Sequence, residues 1–286
     1  MYRHPYFDLR LHDDEELVPL VPFDDVGDVI ERVTLHEWPL SCVQRLTLAD
    51  GRGLIYKAQF GPTVEAEFYA RARSDILPWA KTIYEADGYV CMLIEFVEGP
   101  LAEDLGLGAE EAIRISREVV AQIATIDGEL PHCLDITDEA KWETLVGGLV
   151  QNLRTLIDTG AFTLTDEAVV HVLAQWASSE PVLAALRTRP GYVHHDLGGD
   201  NLFVLPDGYR VIDWQRPILG PTDLDVATLL RSLGVDPLPH VGEGIVRVVD
   251  LLKVYWFTQS ATKWFPAGVA DYDKQIADIV RGNEEK

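Results

Sequence analysis

YVHHDLGGDNLFVLPDGYRVIDW, residues 192–214, gathers His194, Asp196, Asn201 and Asp213 into two clumps separated by a segment of alternating apolar residues. Leu202 and Val204, the turn residues Pro206, Asp207 and Gly208, and the following GYRVI predict a β-hairpin. With Leu205 and Tyr209 flanking a three-residue turn, the antiparallel register sets Asn201 opposite Asp213. Directly opposed residues on one face have Cβ atoms about 5 Å apart. An amide oxygen and a carboxylate so placed are hard, oxygen-only donors suited to Mg²⁺, which takes one or two protein carboxylates and fills its shell with water and phosphate oxygens. A slip of one residue would send the two groups to opposite faces, so this inference depends on the turn.

Asp196 lies in the glycine-containing loop HHDLGGDN, five residues before Asn201. A loop carboxylate beside a metal–phosphate site can orient an attacking hydroxyl and accept its proton. H-x-D-x-x-x-x-N followed by a hairpin-borne Asp is the phosphoryl-transfer constellation of kinase-fold enzymes. His194 is expected to brace the loop, and His195 has no assignable role.

Upstream, LSCVQRLTL and LIYKAQF flank the turn ADGRG, Gly61-Pro62 opens a helix VEAEFYARARS, and WAKTIYEA and YVCMLIEFV form a second hairpin around Asp87-Gly88. The first hundred residues therefore predict a small antiparallel sheet, strand–strand–helix–strand–strand. After Glu98-Gly99-Pro100 the pattern turns helical: Ala112, Ile115, Val119, Val120 and Ile123 share one stripe, Thr137 and Thr165 offer caps, and helices fill most of the chain beyond residue 222. The expected fold is α+β, a β-rich small lobe over residues 1–97 and a larger, mainly helical lobe over 98–286.

The small lobe should grip the nucleotide. Lys57 sits mid-strand, where an unpaired ammonium is costly to bury, and a phosphate together with a carboxylate would relieve that cost. Glu65 and Glu67 on the next helix compete for that carboxylate role, because only one can face the sheet with Val64, Phe68 and Ala72. The connector IEFVEGP would run past the nucleobase with backbone groups of Glu95 and Val97. HEWPLSC, residues 36–42, contains no glycine, so a glycine-rich flap that brings backbone amides to the phosphates is absent.

Composition narrows the partners. With 47 acidic against 24 basic residues and a net charge of −23, nucleic acid and anionic membranes are repelled, while a cationic small substrate is compatible. Three scattered cysteines without a CxxC pair, no signal pattern in MYRHPYFDLR and no long apolar run point to a soluble cytoplasmic protein with buried thiols. FDLRLHDDEELVPLVPFDDVGDVIE reads as a surface extension.

HHDLGGDNLF followed by VIDWQRPILGPTDLDVA resembles the HGDLxxxN and IDW segments of the aminoglycoside phosphotransferase and choline-kinase-like family. Motif order, the VEAE helix, the IEFVEG connector and the helical C-terminal half agree over residues 36–265. The resemblance implies a protein-kinase-like two-lobe fold and a small-molecule kinase that uses ATP or GTP with Mg²⁺ and phosphorylates a small-molecule hydroxyl acceptor. By it, Asp196 is the catalytic base, Asn201 and Asp213 are metal ligands, Lys57 contacts the α- and β-phosphates, Glu67 pairs with Lys57, and Asp225 holds the catalytic loop. His195 in place of the usual Gly, Gly198 in place of a frequent His, and the glycine-free phosphate turn depart from the family pattern. The alternative is a catalytically inactive kinase-fold binding or regulatory protein. A protein kinase fits worse, since DWQ stands where DFG would be and no APE follows.

Overall fold

In a computed structural model describing residues 1–24 and 27–284, the chain begins with β1 (Tyr2–Arg3), β2 (Arg10–Leu11) and α1 (Asp14–Leu17). Then come β3 (Val29–Trp38), β4 (Ser41–Leu48), β5 (Gly53–Phe60), α2 (Glu65–Arg71), β6 (Ala80–Ala86) and β7 (Tyr89–Glu95). The helical part comprises α3 (Ala109–Ile123), β8 (Leu134–Asp135), α4 (Glu139–Asp158), α5 (Glu167–Ala177), α6 (Glu180–Leu186) and β9 (Pro190–Val193). It is followed by β10 (Leu202–Leu205), β11 (Gly208–Val211), β12 (Ile218–Pro221), α7 (Asp223–Ser232), α8 (Leu238–Gln259) and α9 (Val269–Glu284).

These elements form two compact units, and the chain passes between them more than once. The first takes residues 1–106, 125–133 and 199–216, and the second takes 107–124, 134–198 and 217–286. The expected single division after residue 97 therefore differs from the observed grouping: the hairpin β10–β11 belongs with the small sheet.

In the first unit the sheet order is β3-β4-β5-β7-β6, all antiparallel. The expectation missed β3. Its ten residues are exposed or half-buried throughout, so it lacks the apolar alternation that marks a strand with one covered face. In β4 the pleat buries Cys42, Gln44, Leu46 and Leu48, and in β5 it buries Leu54, Tyr56 and Ala58 on the same side. That side is covered by Leu9, Leu11, Leu17 and Val21, so the N-terminal stretch is not merely a surface extension but half of a core. Each such leucine, fully buried, contributes on the order of 1.5–3 kcal/mol. Asp25 and Val26 of that stretch lie outside the described residues. Cys42 and Cys91 are buried free thiols, as expected.

In the second unit the predicted stripe of α3 is buried in full, from Ala112 to Ile123. The caps fall one residue later than expected: Asp138 accepts from Lys141 N–H and Asp166 from Ala168 and Val169 N–H, so the carboxylates take the role assigned to the neighbouring threonines. β12 pairs parallel with β8 and antiparallel with β9. The antiparallel pairing sets the end of β9 beside the start of β12, and the histidine loop that follows β9 reaches the first turn of α7 through its amides to Asp225. Against α6, α8 approaches so closely that a Cβ at Gly244 would sit 1.9 Å from the carbonyl oxygen of Pro181. Among the described residues no helix is long and apolar enough to cross a membrane.

Candidate functional site

In the first unit Lys57 projects from the face of β5 opposite the leucine core. It is 5% exposed, and its Nζ lies 2.6 Å from Glu65 Oε2 and in contact with Asp213 Oδ1. Burial disfavours the ammonium, but the Asp213 and Glu65 carboxylates outweigh it and raise its pKa above the ordinary lysine value. Burial raises the Glu65 carboxyl, and Lys57 pulls it back. The expected pairing with Glu67 is corrected: Glu67 is half exposed and bonds Arg71 at 2.7 Å, one helical turn on.

The choice between the two glutamates follows from where α2 begins. Val64 N–H donates to Gln215 O at 3.1 Å, so the segment after Asp213 sets the helical phase and turns Glu65 inward. Trp214 reinforces the join by stacking on Phe68, centroids 4.4 Å apart, while its Nε1 donates to Val211 O. Gln215 Nε2 donates to Asp213 Oδ1 at 2.6 Å.

The hairpin register also differs from expectation. Leu205 pairs with Gly208 and Leu202 with Val211, so the turn has two central residues, Pro206 and Asp207, and Asn201 faces Ile212, whose N–H donates to Asn201 O at 3.0 Å. Asp213 therefore stands one residue beyond the position opposite Asn201. It has φ +68°, so the strand has ended before it and the pleat no longer dictates its direction. That left-handed residue lets its carboxylate reach Lys57, an arrangement strand alternation alone could not supply. Its side chain keeps 30% exposure, with Oδ1 shared by Lys57 and Gln215. The donor set of Asn201 and Asp213 is hard and oxygen-only, which fits Mg²⁺.

The face of Lys57 carries further residues. Arg45, opposite Ile55 in the β4–β5 ladder, lies on that face. Its guanidinium covers the Phe96 ring at 4.2 Å, while its Nε is buried without a hydrogen-bond partner. Sequence reasoning missed Arg45, although its place in the alternation of SCVQRLTL would have put it there. On the connector, Glu95 N–H is already given to Trp79 O at 2.9 Å, so only the Glu95 carbonyl could serve a nucleobase. Val97 is buried. The turn between β3 and β4 is Pro39-Leu40, closed by the pair Trp38 and Ser41, a tight hairpin without glycine as expected.

In the second unit the histidine loop is held by a buried carboxylate. Asp225 in α7 accepts from His194 N–H at 2.7 Å and from His195 N–H at 2.8 Å. Burial pushes its carboxyl up to about 6, against the pull of His194 and the two amides. For two successive amides to meet one carboxylate, His195 adopts φ +76°, where a glycine would be at ease. Its ring is used as well: Trp256 Nε1 donates to His195 Nε2 at 3.1 Å. Since an indole can only donate, Nε2 is unprotonated there. His194, almost wholly buried, accepts from Asp196 N–H through Nδ1 at 3.3 Å, so it braces the loop as expected. Asp196 itself is exposed.

A family model of the phosphotransferase enzyme family (APH) matches residues 64–255. A solved choline/ethanolamine kinase family protein from Mesorhizobium loti superposes with TM-score 0.63 at 12% identity, covering 93% of this chain and 92% of that one. A thermostable mutant of aminoglycoside phosphotransferase APH(4)-Ia, in ternary complex with AMP-PNP and hygromycin B, gives TM-score 0.60 at 15% identity, covering 93% and 98%. The GDP and kanamycin complex of APH(2")-IIia gives 0.59 at 12% identity, covering 92% and 97%. These likenesses are of fold, the protein-kinase-like architecture expected above. No curated protein matches the chain in sequence.

Proposed function

Because the chain belongs to the phosphotransferase enzyme family, we propose that it moves the γ-phosphoryl group of ATP or GTP to a hydroxyl of a small molecule. The observation that carries this reading is the contact between Lys57 on a strand and Asp213 after the hairpin, far apart in sequence, completed by Glu65. A lysine so clamped has a fixed position from which to meet the α- and β-phosphates. Asn201 and Asp213 would hold Mg²⁺, which supplies positive charge to the phosphate oxygens when bound. The Glu95 carbonyl and the Val97 backbone would hold the nucleobase. The nucleotides in the solved relatives, AMP-PNP and GDP, support the donor class, and their acceptors support a small molecule.

Chemically, the acceptor oxygen attacks the γ-phosphorus, its proton passes to Asp196, and the bond between the γ-phosphorus and the β,γ-bridging oxygen breaks to release the nucleoside diphosphate. Asp225 acts through the backbone by holding His194 and His195, which makes it a positioning residue. The Pro39-Leu40 turn favours the second reading, a kinase-fold binder without turnover, since it offers no glycine-rich amides to the phosphates.

The test is release of ADP or GDP across a panel of hydroxyl acceptors, with Asp196→Ala alongside. The variant should lose turnover by about 10²–10⁴-fold while keeping the thermal shift caused by Mg²⁺ and nucleotide. Undiminished turnover removes Asp196 as base. A metal-dependent shift without turnover by any acceptor favours the second reading.

A further inference from the structure

The helical unit contains an open cavity of about 530 Å³ between β8, α4 and the C-terminal end of α8. Leu134, Leu145 and Tyr255 supply apolar wall, and Asp135, Lys141, Thr144, Asn152, Gln259 and Lys263 supply polar groups. Two of those polar groups are already committed. Asp135 accepts from Thr137 N–H at 3.0 Å, from Thr137 Oγ1 at 2.6 Å and from Lys141 Nζ at 2.8 Å. Lys141 Nζ meets Asp135, Thr137 Oγ1 at 2.9 Å and Asp138 Oδ2 at 3.3 Å, which matches its three donors to three acceptors. A cation entering the cavity would find its acid already neutralised.

Gln259 and Lys263 are unspent. Gln259, the last residue of α8, is 6% exposed, and among the described residues its side-chain amide makes no hydrogen bond. Lys263, four residues on in the π-helical turn Ser260–Trp264, has no ion pair among the described residues. In a chain with 47 acids and 24 bases, a lysine without an acid at the rim of a cavity runs against the composition. Amide and ammonium donors lining one cavity suit an anion.

The cavity also shares a helix with the loop acid's neighbour. Tyr255 is followed by Trp256, which bonds His195 beside Asp196 and packs on Trp264, centroids 5.5 Å apart. We propose that this cavity binds the phosphoryl acceptor, and that the acceptor carries an anionic group, a carboxylate or phosphate ester, held by Gln259 and Lys263 in addition to the hydroxyl that reacts. This rests on the phosphotransferase reading and replaces the cationic acceptor that net charge alone made compatible.

Ligand-observed NMR on the full chain tests it with three sets of probes: the acids D-glycerate, D-gluconate and glucose 6-phosphate; the neutral glycerol and glucose; and the cations choline and kanamycin. The acids should bind, Lys263→Glu should weaken them at least tenfold, and Gln259→Leu should weaken them severalfold without affecting neutral probes. D-Gluconate or D-glycerate binding without glucose 6-phosphate marks a carboxylate subsite, and the reverse marks a phosphate subsite. Preference for a cation or a neutral probe, acid binding unchanged in Lys263→Glu, or no acid bound at all overturns the inference. Lys263 is exposed, so its variant keeps the fold when Gln259→Leu does not. Thermal shift with Mg²⁺ and nucleotide on the same samples separates the two readings. A nucleotide shift without acid binding removes only the anionic acceptor, whereas acid binding without a nucleotide shift removes the kinase reading and leaves an anion site.

Discussion

Exchanging Glu65 for Gln removes one charge from a buried cluster and leaves the atoms nearly in place. Glu65 is wholly buried with Oε2 2.6 Å from Lys57 Nζ, and Lys57 is 5% exposed. Deleting one partner of a buried ion pair costs about 3–5 kcal/mol when the survivor is left alone. Here Lys57 keeps Asp213, and relieving the buried Glu65 charge returns part of the cost, so about 1–3 kcal/mol is expected. For a chain of this size that lowers the melting temperature by roughly 2–5 °C. Glu67→Gln removes only a half-exposed bond to Arg71 one turn away, and such pairs are worth about 0.3–0.5 kcal/mol. Thermal unfolding of both variants at pH 7.5, with and without Mg²⁺ and ATP or GTP, reads the difference. Glu65→Gln should also blunt the nucleotide shift, because Lys57 loses the group that aims it. A larger loss in Glu67→Gln, or an unchanged melting point and nucleotide response in Glu65→Gln, refutes the assignment.

The buried Asp225 carboxyl, at about 6 instead of the usual 3.8, binds its proton more tightly when folded, so its contribution is present at low pH and lost as pH rises through 6. Relative to Asp225→Asn, the wild-type protein should lose about 1.4 kcal/mol between pH 5 and 7.5 in denaturant melts; parallel profiles contradict it. Gly244→Ala drives a methyl into the Pro181 carbonyl and should cost at least about 2 kcal/mol by chemical denaturation, whereas an unchanged midpoint would show that α6 and α8 can separate freely. Trp256→Phe removes the indole donor to His195, and turnover should fall up to about tenfold, the worth of one neutral hydrogen bond, with the melting point nearly kept. Full activity in that variant means that the His195 ring has no part in holding the loop.

Turn chemistry, pleat and helical period are local, and they sufficed for most of the elements and for the order of Lys57, Asp196, Asn201 and Asp213 along the chain, while the bracing role of Asp225 was legible only through the family resemblance. Three features were decided only by tertiary structure. The hairpin closes through two residues instead of three, and the left-handed Asp213, not strand alternation, brings its carboxylate to Lys57. The phase of α2 is set by the Val64 amide on Gln215, 151 residues later in the chain, so the helical pattern alone could not choose Glu65 over Glu67. The N-terminal leucines count as core only because β4 and β5 present a matching apolar face to them. For the reach of Asp213 to Lys57, the phase of α2 and the burial of the leucines the deciding partner is remote in sequence, and short-range spacing carries no information about the energy of that meeting.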